Sequence, residues 1–145
     1  MRRTASDEAA VAVGGVAAPL AARVIRRAVT TVLAGERRGA AVAVTFLGKD
    51  AMRRLNAEHL GHDWPTDVLT FALPQPDGSV AGDVYLCRYV AAREARARQQ
   101  PVRTELLRLV VHGTLHVLGY AHDEGPGRTT SKMWRLQERY VTALA

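Results

Sequence analysis

Residues 110–125 read VVHGTLHVLGYAHDEG. The run upstream of them is apolar almost all round: Leu106, Leu107, Leu109, Val110 and Val111, continuing through Leu115, Val117 and Leu118. A helix with no polar face belongs in a core, and Pro101 stands where such a helix can begin. His112 and His116 are four residues apart, so a helix stacks them on one face. Gly119 readily adopts the left-handed conformation found just past helix ends, and the chain can then double back to bring His122 toward the pair. Two histidines on an apolar helix are often hydrogen-bonded core residues, but a third behind a glycine turn favours a metal. Three neutral nitrogens leave a tetrahedral zinc ion one open position, so one Zn2+ per chain is expected at His112, His116 and His122.

The flanking sequence alternates between helical and strand patterns. Residues 17–33 carry apolar positions at helical spacing with Arg23, Arg26 and Arg27 between them, and Gly35 is expected to close that helix. Residues 41–47 (AVAVTFL) read as a strand and residues 49–59 as a helix. After Pro65, TDVLTFAL reads as a second strand, Asp77-Gly78 as a turn, and GDVYL (82–86) as a third strand. Helices are expected over residues 87–100, from Pro101 to Leu118, and over residues 129–144. This order predicts a single α+β domain over residues 1–145, with a small mixed sheet of about four strands and the metal site on a buried helix and the turn after it.

Composition sets the surroundings. The 145 residues suffice for one domain with a core. The single Cys87 excludes an internal disulfide and a multi-cysteine zinc site, and reads most simply as a small buried hydrophobe. No apolar run approaches the roughly 20 residues that span a bilayer, and the acidic residues in MRRTASDEAA argue against a targeting segment, so a cytoplasmic protein is expected. Twenty Lys and Arg against fourteen Asp and Glu leave a formal +6, and arginine dominates. Its planar fork suits phosphate, and a positive field steers polyanions. Arg-rich, Ala-rich composition also follows from G+C-rich coding, so charge alone does not decide for a nucleic acid.

Zinc on three neutral ligands lowers the pKa of bound water from about 15.7 toward 7, which points to hydrolysis. Zinc peptidases of the H-E-x-x-H type take their base from the residue after the first histidine, and here that residue is Gly113. Glu105 lies on the His112 face of the same helix, but it can equally pair with Arg108. Asp123 and Glu124 follow the third histidine and read as solvated loop residues.

These residues resemble a known family. HGTLHVLGYAH is similar to the H-G-x-L-H-x-x-G-Y-D-H signature of the YbeY endoribonucleases, bacterial rRNA maturation factors. LNAEHLGHDWPTDVLTF resembles that family's L-N…P-T-D-V-L-S-F segment, GDVYLCRYVAAREA its G-D-I strand and following helix, and Met133 with Gln137-Glu138 its C-terminal helix. The likeness is strongest over residues 45–138. It implies a zincin-like α+β fold and a zinc-dependent, single-strand-specific endoribonuclease acting in 16S rRNA maturation and ribosome quality control, by metal-activated water attack on RNA phosphodiesters. The implied partners are rRNA and small-subunit assembly components. His112, His116 and His122 match the family's metal ligands, while Pro65, Thr66, Asp67, Val68 and Phe71 match its strand motif. No general base is assigned; Glu105, Asp67 and His59 are the candidates.

Two positions depart from the pattern. Where the family commonly places an arginine after an aromatic residue, this chain has His59 and Leu60, and Ala121 replaces the usual aspartate. His59 or His62 could stand in for the arginine, and Asp123 for the aspartate as a hydrogen-bond partner of a ligating histidine. The alternatives are therefore a noncatalytic, zinc-stabilised rRNA-binding assembly factor and, against Gly113, a zinc peptidase.

Overall fold

The computed structural model describes residues 9–17, 20–120 and 131–145. In chain order the elements are β1 (Ala9–Gly15), α1 (Ala22–Glu36), β2 (Ala40–Leu47), α2 (Lys49–Leu60), β3 (Val68–Pro74), β4 (Val80–Cys87), α3 (Arg88–Ala97), α4 (Val102–Val117) and α5 (Lys132–Leu144). The four strands form one mixed sheet in the order β1-β2-β4-β3. β1 runs parallel to β2, and β2 parallel to β4. β3 closes the edge as an antiparallel partner of β4, with Val68 opposite Leu86 and Pro74 opposite Val80. No helix among the described residues is long and apolar enough to cross a membrane.

The period-two alternation of β2 and β4 decides which face of the sheet is covered. Val42, Val44, Phe46, Val84 and Leu86 point to one side, and α1, α4 and α5 bury them in a single core. On the other side Leu69 and Cys87 join Met52 of α2 and Val90 of α3 in a smaller cluster. α4 supplies ten buried residues, in keeping with its apolar sequence. Two glycines let it lie close on the sheet. A Cβ on Gly113 would come within 2.6 Å of Val84 Cγ1, and one on Gly82 of β4 within 2.5 Å of Val117 Cγ1.

The α+β class and the mixed four-stranded sheet agree with the sequence pattern, with two differences of detail. The fourth strand is β1, AAVAVGG, whose Ala and Gly content carries little strand propensity and which is defined by its parallel pairing to β2. The first helix runs over Ala22–Glu36, later than the expected 17–33, and Arg37 rather than Gly35 takes the left-handed position at its end (φ 55°). Gly35 instead lies inside α1 because α5 crosses there: a Cβ would fall 2.1 Å from Tyr140 Oη.

Candidate metal centre and its cavity

α4 places His112 and His116 one turn apart, with ring centroids 4.5 Å apart and planes at 80°. Both are half-buried. Each ring is oriented through its Nδ1. His112 Nδ1 lies 2.7 Å from Gln137 Oε1, and His116 Nδ1 lies 2.8 Å from the carbonyl oxygen of Tyr120. A carbonyl oxygen only accepts, so the His116 proton sits on Nδ1. Gln137 Nε2 donates to Glu138 at 3.0 Å, which turns the amide oxygen toward His112 and puts that proton on Nδ1 as well. In both rings the lone pair then belongs to Nε2. An imidazole fixed in this way by a partner on its other nitrogen is the usual condition of a metal-ligating histidine. Among the described residues no group of three His, Cys, Asp or Glu side chains is assembled for a metal. The third candidate, His122, lies outside the described residues, as do Ala121, Asp123 and Glu124.

The orienting partners come from distant parts of the chain. Gln137 is 2% exposed on α5, at a position that the amphipathic pattern of that helix would give to an apolar residue. Behind it Glu138 binds the Arg108 guanidinium through Nε at 2.9 Å and Nη2 at 2.9 Å. Burial pushes the Glu138 carboxyl up, but the Arg108 and Gln137 hydrogen bonds outweigh it and hold the group below its usual range. The same hydrogen bond raises Arg108 above the ordinary guanidinium value. On the His116 side, the Tyr120 hydroxyl donates to Glu36 Oε1 at 2.5 Å, and Tyr140 donates to Glu36 Oε2 at 2.6 Å. One carboxylate at the end of α1 thus ties down both the turn that orients His116 and helix α5. Glu36, Tyr120 and Tyr140 carry no spacing signal in sequence. Gln137 carries one, as a polar residue on a buried helix face.

A cavity of about 390 Å³ opens beside His112. Asp67, Glu105, Arg98 and Arg108 supply its charged lining, and Leu60, Trp64 and Trp134 its larger apolar surfaces. Of the three candidate bases, Glu105 is 1% exposed at the first turn of α4, where a carboxylate complements the helix dipole, and it lies 3.3 Å from both Arg98 and Arg108. That double pairing makes it an anchor between α3 and α4. Asp67 lines the cavity, accepts a 3.4 Å hydrogen bond from Thr66, and opens the strand through its carbonyl, which accepts from Cys87 N at 2.9 Å. His59 is exposed on α2, edge-on to Phe71 at 5.0 Å, and is not part of the cavity wall. Gly113 faces the sheet, so a carboxylate at this position would be directed at Val84 and Thr70.

Comparison with known proteins gives a consistent identification. The family model described as "Endoribonuclease YbeY" matches residues 15–145. An endoribonuclease YbeY from a Thermotoga species is 39% identical over 100 residues, covering 69% of this chain and 65% of that protein. The Chlorobium luteolum endoribonuclease YbeY is 36% identical over 119 residues, covering 81% and 85%. The solution structure of a Thermotoga maritima protein superposes with a TM-score of 0.68 at 29% identity, covering 92% of this chain and 88% of that one. The span matched, residues 15–145, takes in α1, α4 and α5, which hold and orient the two imidazoles, and the chain belongs to the endoribonuclease YbeY family.

Proposed function

We propose that this chain is a zinc-dependent, single-strand-specific endoribonuclease that acts in 16S rRNA maturation and ribosome quality control in the cytoplasm, with rRNA and small-subunit assembly components as its partners. The observation that carries this reading is the pair of imidazoles one turn apart on α4, each with Nδ1 held by an oxygen acceptor so that its lone pair lies on Nε2. Family membership supports RNA as the substrate. The helix laid across a mixed sheet, with the histidines at its C-terminal end, is consistent with a zincin-like arrangement.

His112 and His116, with His122 as third ligand, would hold the zinc. When bound, the ion supplies Lewis-acid stabilisation of a phosphoryl oxygen and activation of water at neutral pH. The chain's own residues do the rest. Gln137 and the Tyr120 carbonyl fix the ring orientations. Arg98, with its side chain 40% exposed at the cavity, offers guanidinium N–H groups to backbone phosphate. Arg108 is pinned between Glu105 and Glu138 and contributes positive charge from a fixed position. Asp67 is the carboxylate of the cavity wall that lies outside these ion pairs, and it is the better placed of the candidate bases.

Zinc-loaded wild-type protein is expected to cut an unstructured RNA internally and to lose that activity on chelation, while His116→Ala loses both zinc and cleavage. Full cleavage by metal-free protein would overturn the mechanism. A noncatalytic rRNA-binding assembly factor is the second reading, favoured by one observation: Leu60, 54% exposed, lines the cavity where the family resemblance implies a cation. Cross-linking to 16S precursor RNA with no cleavage at any zinc concentration would select it.

A further inference from the structure

The loop between α2 and β3 presents an aromatic surface that no side-chain hydrogen bond or core contact among the described residues accounts for. α2 ends at Gly61 in the left-handed conformation (φ 73°), and the chain turns sharply into residues 62–66. Asn56, 1% exposed on α2, holds this loop from inside by donating Nδ2 to the Trp64 carbonyl at 2.8 Å. The backbone of Trp64 is therefore fixed, yet its side chain is 58% exposed. Burying an indole is among the larger gains open to a fold, and this chain leaves one in solvent at the rim of its candidate site. The ring is not isolated. His62 lies parallel to it, with centroids 4.7 Å apart and planes 8° apart, and both residues line the cavity that contains His112.

We propose that His62 and Trp64 form a stacking platform for an unpaired nucleobase of the strand whose backbone enters the cavity. This inference rests on the endoribonuclease reading and names the part of the substrate that the site grips away from the metal. Three features choose the occupant. The stacked pair is a flat π surface, and bases stack on such surfaces with little regard to sequence because every base has a π face. In the same cavity wall the half-exposed Arg98, together with the formal +6 of the chain, favours a polyanion over an apolar peptide or a lipid tail. A volume of about 390 Å³ lies at the small end of ligand pockets, which suits a single nucleotide unit and not a duplex. In a duplex the neighbouring base pairs stack on both faces of each base, so the platform selects single strands by requiring an open face.

The test separates stacking from charge and from chemistry. Zinc-stripped protein is titrated with a short unstructured oligoribonucleotide and with an abasic oligomer of the same phosphate number, binding being read by anisotropy of a terminal dye. Trp64→Ala is expected to bind the base-bearing strand about tenfold more weakly, equivalent to about 1.4 kcal/mol. Trp64→Phe should retain most of the affinity, and neither variant should change binding of the abasic strand. In a Trp134→Phe background, emission from Trp64 should be quenched by the base-bearing strand alone. Equal affinity of Trp64→Ala and wild type for the base-bearing strand overturns the platform, as does an equal loss on both strands. The endoribonuclease reading fails by a different result: zinc-loaded wild type leaves the strand uncut while the base-dependent binding persists, which leaves the platform standing.

Discussion

Replacing Gln137 with Leu removes the acceptor that lies 2.7 Å from His112 Nδ1 without opening a cavity, since the two side chains are close in volume. Gln137 is 2% exposed, so water cannot easily take its place. The stranded N–H costs about 1–3 kcal/mol of folding stability, the penalty of an unmade buried hydrogen bond. The effect on metal binding is separate and follows from orientation. Without the acceptor, His112 loses the bond that selects its tautomer, and Nε2 carries the lone pair for only part of the time. Loss of a partner of this kind weakens metal affinity by about 10–100-fold. Zinc competition against a chromophoric chelator measures that change, and urea denaturation of the metal-free protein measures the first.

Val141→Ala is the control. It lies on the same helix, is 4% exposed, and touches the core instead of the imidazole. It should cost roughly 1–3 kcal/mol of stability and leave zinc affinity unchanged. If Gln137→Leu binds zinc as wild type does, or if Val141→Ala weakens zinc to the same degree, the orienting role assigned to Gln137 is wrong.

Glu105→Gln removes the negative charge between two arginines. Breaking a fully buried pair costs roughly 3–5 kcal/mol, but the Arg98 side chain is 40% exposed and can rehydrate, so about 2 kcal/mol is expected by urea denaturation. Gly113→Ala gains at most about 1 kcal/mol of helix propensity and loses about 1–3 kcal/mol to overpacking. Its methyl meets the stiff Val84 side chain at 2.6 Å, so the net thermal shift should be downward. The Tyr140 hydroxyl is raised above its usual value of 10.0 by burial first and by its bond to Glu36 second. A raised folded pKa stabilises the protonated form, so this contribution is complete below pH 10 and is lost as pH rises beyond it. Tyr140→Phe should be less stable than wild type at neutral pH, and its urea midpoint should fall less steeply above pH 10.

The apolar run before His112 and the alternation in AVAVTFL and GDVYL made the buried helix and the central strands legible, because one-sided burial writes itself into spacing. β1 was hidden for the converse reason: AAVAVGG has no strong preference of its own and becomes a strand through its pairing with β2. Gly35 misled as a helix end because its role is to admit Tyr140, a contact across more than a hundred residues. The same holds at the site. His112 and His116 were readable from their spacing, whereas the partners that orient them come from α1, α5 and a turn carbonyl, and no local pattern links residue 36 to residue 120. The pairing of Glu105 with Arg108 was legible at three residues' separation; the second partner, Arg98, sits just past the end of α3 and emerged with the fold.

The placement of Gln137 on the last helix also bears on when the protein becomes competent. His112 is synthesised 25 residues before the side chain that orients it. A nascent chain that has just released α4 holds both imidazoles on a helix whose apolar surface still lacks the cover of α5. If the imidazoles hold zinc as proposed, tight metal capture has to wait for α5 to dock, and docking is also what brings Tyr140 onto Glu36. In the proposed reading, hydrolytic chemistry directed at RNA is thereby withheld until α5 has docked on α4.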